Sequence, residues 1–176
     1  MDIFLIIDMQ QAPFSQNDKY DSNAIISRIN ILSEHIRRSG GQVIFIQHDG
    51  TMEEGLFPET PGWQILSSLT QFETDMVIRK TSNDAFCKTK LHTYIDSICL
   101  DNIFVAGWAT DFCVDTTIRA AISSGYNITV ISDAHTLNDR PHLAAEKVIE
   151  HHNWVWENMI TAGDPIRVVT LKNLLN

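Results

Sequence analysis

The chain has 176 residues, 44% hydrophobic and 20% charged, which is ordinary for a soluble globular protein long enough for one sizeable core. Its 22 acidic and 13 basic residues give a net charge of −9 with no Lys/Arg run, which argues against nucleic acid or an anionic membrane surface as partner. No apolar stretch approaches the length of a membrane span.

In chain order, Ile3-Phe4-Leu5-Ile6-Ile7 is a continuous apolar run closed by Asp8, which reads as a buried parallel strand. The run is short and lacks a basic flank, so it is not read as an export signal. A cytoplasmic location is therefore expected, with Cys87, Cys99 and Cys113 reduced. Chemistry gathers at the carboxyl ends of strands in open α/β sheets, which makes Asp8 a functional candidate. By itself it reads better as a cap for the next loop. Met9 to Asp21 is polar with Pro13 inside and reads as a loop, from which Phe14 could line a pocket. Ile25, Ile29, Leu32 and Ile36 recur at helical spacing, and Gly40-Gly41 stop that helix. Val43 to Ile46 is a second strand, with His48 just past its end.

Residues 50 to 64 carry five breakers (Gly50, Gly55, Pro58, Pro61 and Gly62) and read as a long loop of the kind that often forms a lid. Phe57 and Trp63 could reach a site from it. A short helix is expected from Trp63 to Leu69. Asp75 to Lys80 is the third strand, closed by Lys80, and Thr81 to Phe86 is a turn. Leu91, Ile95 and Ile98 mark a further helix.

Asn102 to Ala106 is the next apolar strand, followed by Gly107-Trp108-Ala109-Thr110-Asp111-Phe112-Cys113-Val114. Val114, Ile118, Ala121 and Ile122 then define a helix face. Cys113 thus falls where a strand has ended and a helix begins. Free backbone N–H groups and the helix dipole favour a thiolate there, and an oxyanion. The plain alternative is a small buried apolar residue. Asn127 to Ile131 is a fifth strand, ending in Ser132-Asp133-Ala134-His135. A helix then runs from Pro141 to about Trp156, and Ile166 to Val169 is a last short strand. Trp154 and Trp156, two apart, cannot share one helix face. One of them is expected to mark an interface between copies, unless the helix ends near Asn153 and both rings fold inward.

The alternation predicts an α/β fold: a Rossmann-like three-layer sandwich with a five- or six-stranded parallel sheet, helices on both faces and right-handed crossovers. One domain over residues 1–176 is expected. Asp8, Lys80 and Cys113 would all lie at carboxyl ends of strands. They can meet if the first, third and fourth strands are close neighbours.

Ile6-Ile7-Asp8-Met9-Gln10, Val77-Ile78-Arg79-Lys80 with Phe86 and Thr89, the Gly107 to Val114 segment and Ser132 to His135 together resemble the isochorismatase-like cysteine hydrolases. That superfamily includes isochorismatases, nicotinamidases, N-carbamoylsarcosine amidohydrolases and ureidoacrylate-type amidohydrolases. The resemblance implies a catalytic triad of Asp8, Lys80 and Cys113. It also implies a cis peptide between Trp108 and Ala109, an oxyanion hole from the N–H groups of Ala109 and Cys113, and a homo-oligomer. Nicotinamidases carry a metal-binding Asp-x-His after the second strand. Here that region reads Gln47-His48-Asp49-Gly50, so neither a metal nor another cofactor is expected. An intact thiol favours cleavage of an amide or carbamoyl C–N bond of a small molecule. The alternatives are vinyl ether hydrolysis of the isochorismatase type and a catalytically silent homologue. The tail Asn138 to Leu143 with His151-His152-Asn153 is similar to streptothricin-hydrolase-like members. Phe14, His48, Trp63, Phe86, Trp108 and Phe112 are the expected substrate pocket, and Lys80 is expected to favour the Cys113 thiolate.

Overall fold

The computed structural model describes residues 1–16 and 18–176. Its strands are β1 (Ile3–Ile7), β2 (Gln42–His48), β3 (Met76–Lys80), β4 (Ile103–Trp108), β5 (Ile128–Thr136) and β6 (Arg167–Val169). The helices are α1 (Gln11–Gln16), α2 (Ser22–Arg38), α3 (Leu91–Asp96), α4 (Asp115–Ser123), α5 (Ala145–Glu157) and α6 (Leu171–Leu175). All six strands join one parallel sheet in the order β3-β2-β1-β4-β5-β6. Among the described residues no helix is long and apolar enough to cross a membrane.

The continuous apolar runs are explained by helices covering both faces of the sheet. Alternate residues of β1 enter different cores. Ile3, Leu5 and Ile7 join Ile118 and Ala121 of α4 and Trp156 of α5. Phe4 and Ile6 join Ile25, Ile29, Leu32 and Ile36 of α2. Each such side chain contributes about 1.5–3 kcal/mol by burial. α2 stops where Gly40 takes φ 79 and Gly41 N–H returns to the Ile36 carbonyl at 2.9 Å. Gly107 has a stricter reason to be glycine. At φ 127, a Cβ there would lie 2.2 Å from the carbonyl oxygen of Ile7 on β1.

Several segments differ from expectation. The loop after β1 contains α1, in which Pro13 falls in the first turn, where its missing N–H is tolerated. The helix expected over 63–69 is only a 3₁₀ turn, Pro61–Trp63. Beyond it Ile65 bridges Gln10, and Leu66 N–H bonds to the Met9 carbonyl. β5 runs five residues past Ile131 and takes Ser132 to His135 into the sheet. α5 begins at Ala145 and not at Pro141, because Arg140 and Leu143 close a turn of their own and Asp139 accepts the N–H of Ala145 at 2.8 Å. α5 continues unbroken through Glu157, burying Trp156 completely and leaving Trp154 62% exposed.

The strand order also changes the geometry of the site. β4 is adjacent to β1, but β3 is an edge strand with β2 between it and β1. At about 4.8 Å per strand, Lys80 starts roughly 10 Å from β1 and must cross over β2. The winding of the sheet reverses between β1 and β4, the position where α/β sheets open a crevice.

Candidate active site

The crevice is built from the residues that close β1, β3 and β4. Asp8 follows β1 with φ 50, a left-handed conformation that Asp tolerates better than most residues. Its N–H bonds to the Ile46 carbonyl at 2.9 Å. Lys80 ends β3 in register with His48. Its side chain is fully buried and reaches over β2 to three acceptors: Asp8 Oδ2 at 2.7 Å, the Ser82 carbonyl at 2.9 Å and Cys113 Sγ at 3.3 Å. All three ammonium protons are thereby used. Asp8 Oδ1 is buried and accepts no hydrogen bond by geometry from the described residues. The Cys113 thiol lies 3.6 Å from Asn83 Oδ1. The Trp108–Ala109 peptide is cis, and Ala109 is buried at the root of the turn that carries Cys113.

Burial pushes the Asp8 carboxyl above its usual range, while the Lys80 ammonium pulls it back. Burial, and then the negative charge of Asp8, push the Cys113 thiol up to about 12 against the pull of Lys80. Burial and the Asp8 charge thus oppose the thiolate that Lys80 favours. The reason is local. Cys113 lies inside a π-helical turn, Thr110–Val114, and α4 starts only at Asp115. The sulfur is 8% exposed as a residue, beside a carboxylate.

A cavity of about 330 Å³ opens over the sulfur. Of the expected pocket residues, His48, Trp108 and Phe112 line it, together with Asp8, Ala109 and Cys113. His48 is held by its backbone, N–H to Gln10 Oε1 at 2.8 Å, and burial lowers the pKa of its ring. Phe112 is 51% exposed, with the Arg140 guanidinium 5.1 Å from its ring centre. Arg140 is itself fixed by two bonds to Asp111, at 2.6 and 2.7 Å.

Phe14, Trp63 and Phe86 are not on the cavity wall. Phe14 turns toward the core beneath α2. The Trp63 indole donates to Asp49 Oδ1 at 2.8 Å, under the Arg79 guanidinium. Phe86 is buried against His92 and Tyr126. In their place the wall holds Asn83, Lys19, Glu54 and Leu56, which no sequence pattern singled out. Glu54 and Leu56 come from the long 50–64 loop, whereas Phe57 faces outward at 49% exposure. Among the described residues no three or more His, Cys, Asp or Glu side chains gather as metal ligands.

An isochorismatase domain model matches residues 2–166. A streptothricin hydrolase of Streptomyces noursei is 30% identical over 138 residues, which cover 78% of this chain and 50% of that protein. The chain thus spans about half the length of that relative. Nicotinamidase 3 of Arabidopsis thaliana is 30% identical over 155 residues, covering 80% of this chain and 76% of that one. The crystal structure of an isochorismatase family protein superposes with a TM-score of 0.86 at 31% identity, over 96% of this chain and 98% of that one.

Proposed function

Because the chain belongs to the isochorismatase family of hydrolases, we propose that it cleaves the C–N bond of a small amide or carbamoyl compound through a thioester on Cys113. The observation that carries this reading is the Lys80 ammonium held between Asp8 and the Cys113 sulfur. In this mechanism the Lys80 ammonium at 2.7 Å keeps resting Asp8 ionised against its burial, and Cys113 carries its proton. As the sulfur attacks the carbonyl carbon, the thiol proton passes to Asp8, whose Oδ1 accepts no hydrogen bond by geometry from the described residues. Lys80 at 3.3 Å stabilises the sulfur while it is negative. The carbonyl oxygen becomes an oxyanion against the N–H groups of Ala109 and Cys113. One such donor is worth roughly 3 kcal/mol. Protonated Asp8 then returns the proton to the nitrogen as the C–N bond breaks. A water, deprotonated by Asp8, attacks the thioester, and the acid leaves as the thiol re-forms.

A vinyl ether hydrolase needs a proton donor and no thiol, so Cys113 would have no role in it. The proposal extends to His48, Trp108 and Phe112 as substrate contacts, to residues 1–176 as one domain, and to a homo-oligomer. A screen of primary amides, carbamoyl compounds and isochorismate tests the reaction class. Intact-mass detection of an acyl adduct on Cys113 tests the intermediate. Turnover of isochorismate that survives Cys113→Ala, without amide turnover, would replace this reading by the ether-hydrolase one.

A further inference from the structure

The Ser132 to His135 segment is polar, yet it lies inside the sheet, and the mechanism above makes no use of it. From Val105 to Gly107 the chain takes two steps along β4. The paired residues of β5, Val130 and His135, are five steps apart. This bulge places the His135 ring, 1% exposed, beneath the turn that follows β4. There the Thr110 hydroxyl, also fully buried, lies 2.9 Å from His135 Nδ1. On the other side His135 Nε2 lies 3.0 Å from Asn153 Oδ1 on α5.

The hydrogen-bond directions follow from the far end of the chain. Asn153 Nδ2 donates to the Ser132 carbonyl at 3.0 Å, so Asn153 Oδ1 is the acceptor, and His135 Nε2 must carry hydrogen. Burial pushes the His135 pKa down to about 4, and His152 on α5 opposes a second proton. The acid that faces this layer, Asp115 of α4, is engaged by the Trp156 indole at 2.8 Å and by Arg119 at 2.9 Å. Nδ1 is therefore a lone pair, and the Thr110 hydroxyl donates to it. The edge of the ring meets Trp156 at 5.1 Å, which leaves it little room to turn.

Thr110 follows Ala109 directly and precedes Cys113 by three residues. The turn between them is closed by N–H bonds from Phe112 and Val114 to the Ala109 carbonyl, both 3.1 Å. We infer that His135 is a positioning residue: as the Nε2–H imidazole it anchors the Thr110 hydroxyl, and through it the turn that aims the Cys113 sulfur and the Ala109 N–H at the same carbonyl. The inference rests on Cys113 being the nucleophile. An apolar side chain would fill the same space without a buried polar ring, but it would leave Thr110 unanchored.

The test compares His135→Leu, His135→Gln and Thr110→Val. Glutamine keeps an acceptor for Thr110 and a donor for Asn153, whereas leucine keeps neither. On an amide found by the screen, His135→Leu and Thr110→Val should lower kcat at least tenfold with KM within about threefold, and His135→Gln should recover most of the loss. The rate of Cys113 alkylation by iodoacetamide in the folded protein should change at least threefold in His135→Leu and Thr110→Val and return toward the parent value in His135→Gln. That arm needs no substrate, so it separates failure of this inference from failure of the thioester mechanism. Nitrogen-15 spectra should show His135 as the Nε2–H tautomer from pH 5 to 8. If His135→Leu fails to fold, Thr110→Val, which exchanges only a hydroxyl for a methyl, decides the matter. Unchanged kcat and alkylation in Thr110→Val, or an Nδ1–H tautomer, would overturn the inference.

Discussion

Replacing Lys80 by methionine keeps the stem and removes the charge from a pair whose side chains are 0% and 2% exposed. Two routes are then open to Asp8 at pH 7. It can stay ionised and unpaired, at a cost of about 3–5 kcal/mol. It can instead take a proton, which relative to an unfolded carboxyl near pKa 3.9 costs about 1.4 kcal/mol for each of roughly three pH units, or about 4 kcal/mol. The routes converge, and burial, already the largest influence on Asp8, favours the second. In that state the folded protein binds one proton more than the unfolded chain between pH 4 and 7. Stability therefore falls as pH rises and recovers as pH falls. Urea unfolding should show Lys80→Met about 4 kcal/mol below the parent at pH 7, with the gap narrowing by roughly 2–3 kcal/mol at pH 5. A gap that is equal or wider at pH 5 would refute the ionised Asp8–Lys80 pair. The same variant should lose amide turnover, since a protonated Asp8 is no base.

Cys113→Ser should reduce amide turnover at least about 100-fold, because the hydroxyl is a weaker nucleophile at the same point, while Cys87→Ala and Cys99→Ala, both at exposed positions, leave steady-state rates unchanged. With the Cys113 thiol pushed up to about 12, its alkylation, followed by peptide mass spectrometry, should accelerate about tenfold per pH unit from 7 to 10; a plateau below pH 9 would contradict the burial argument. Gly107→Ala sets a methyl 2.2 Å from the Ile7 carbonyl oxygen, and soluble yield and denaturant midpoint should both collapse, by more than about 4 kcal/mol. Sedimentation at micromolar concentration should give a dimer that weakens in Trp154→Ala, given the 62% exposure of that ring; a parent monomer would reject the interface.

Much of the framework was legible because hydrophobic period and sheet chemistry coincide. Ile3 to Ile7 could only be a strand covered on both faces, and Asp8 had to sit at its carboxyl end. Strand order was not legible. Nothing in Val77 to Lys80 says that β2 lies between it and β1, so the reach of the Lys80 side chain appears only in three dimensions. α1 was hidden because its six residues bury only Ala12 and Pro13. The polar end of β5 was hidden because its satisfaction comes from Thr110 and Asn153, 25 and 18 residues away. The pocket divided along the same line. Trp108 and Phe112 lie within five residues before Cys113 in the chain and stay with it. Phe14, Trp63 and Phe86 had the right chemistry, but the direction in which a loop ring points depends on partners such as Asp49 and Tyr126 that no local pattern reveals.

The edge position of β3 makes one member of the site easier to withdraw than the others. Strand β1 has a strand neighbour on each side, whereas β3 is the edge strand, with β2 as its neighbour, and outer strands open at lower free energy than central ones. An opening confined to β3 would draw the Lys80 ammonium away from Asp8 and Cys113 while β1, β4 and both cores stay intact. Competence for chemistry would then fade before the fold does, and amide hydrogen exchange along Met76 to Lys80, not the global melting temperature, would report the temperature at which the site is lost.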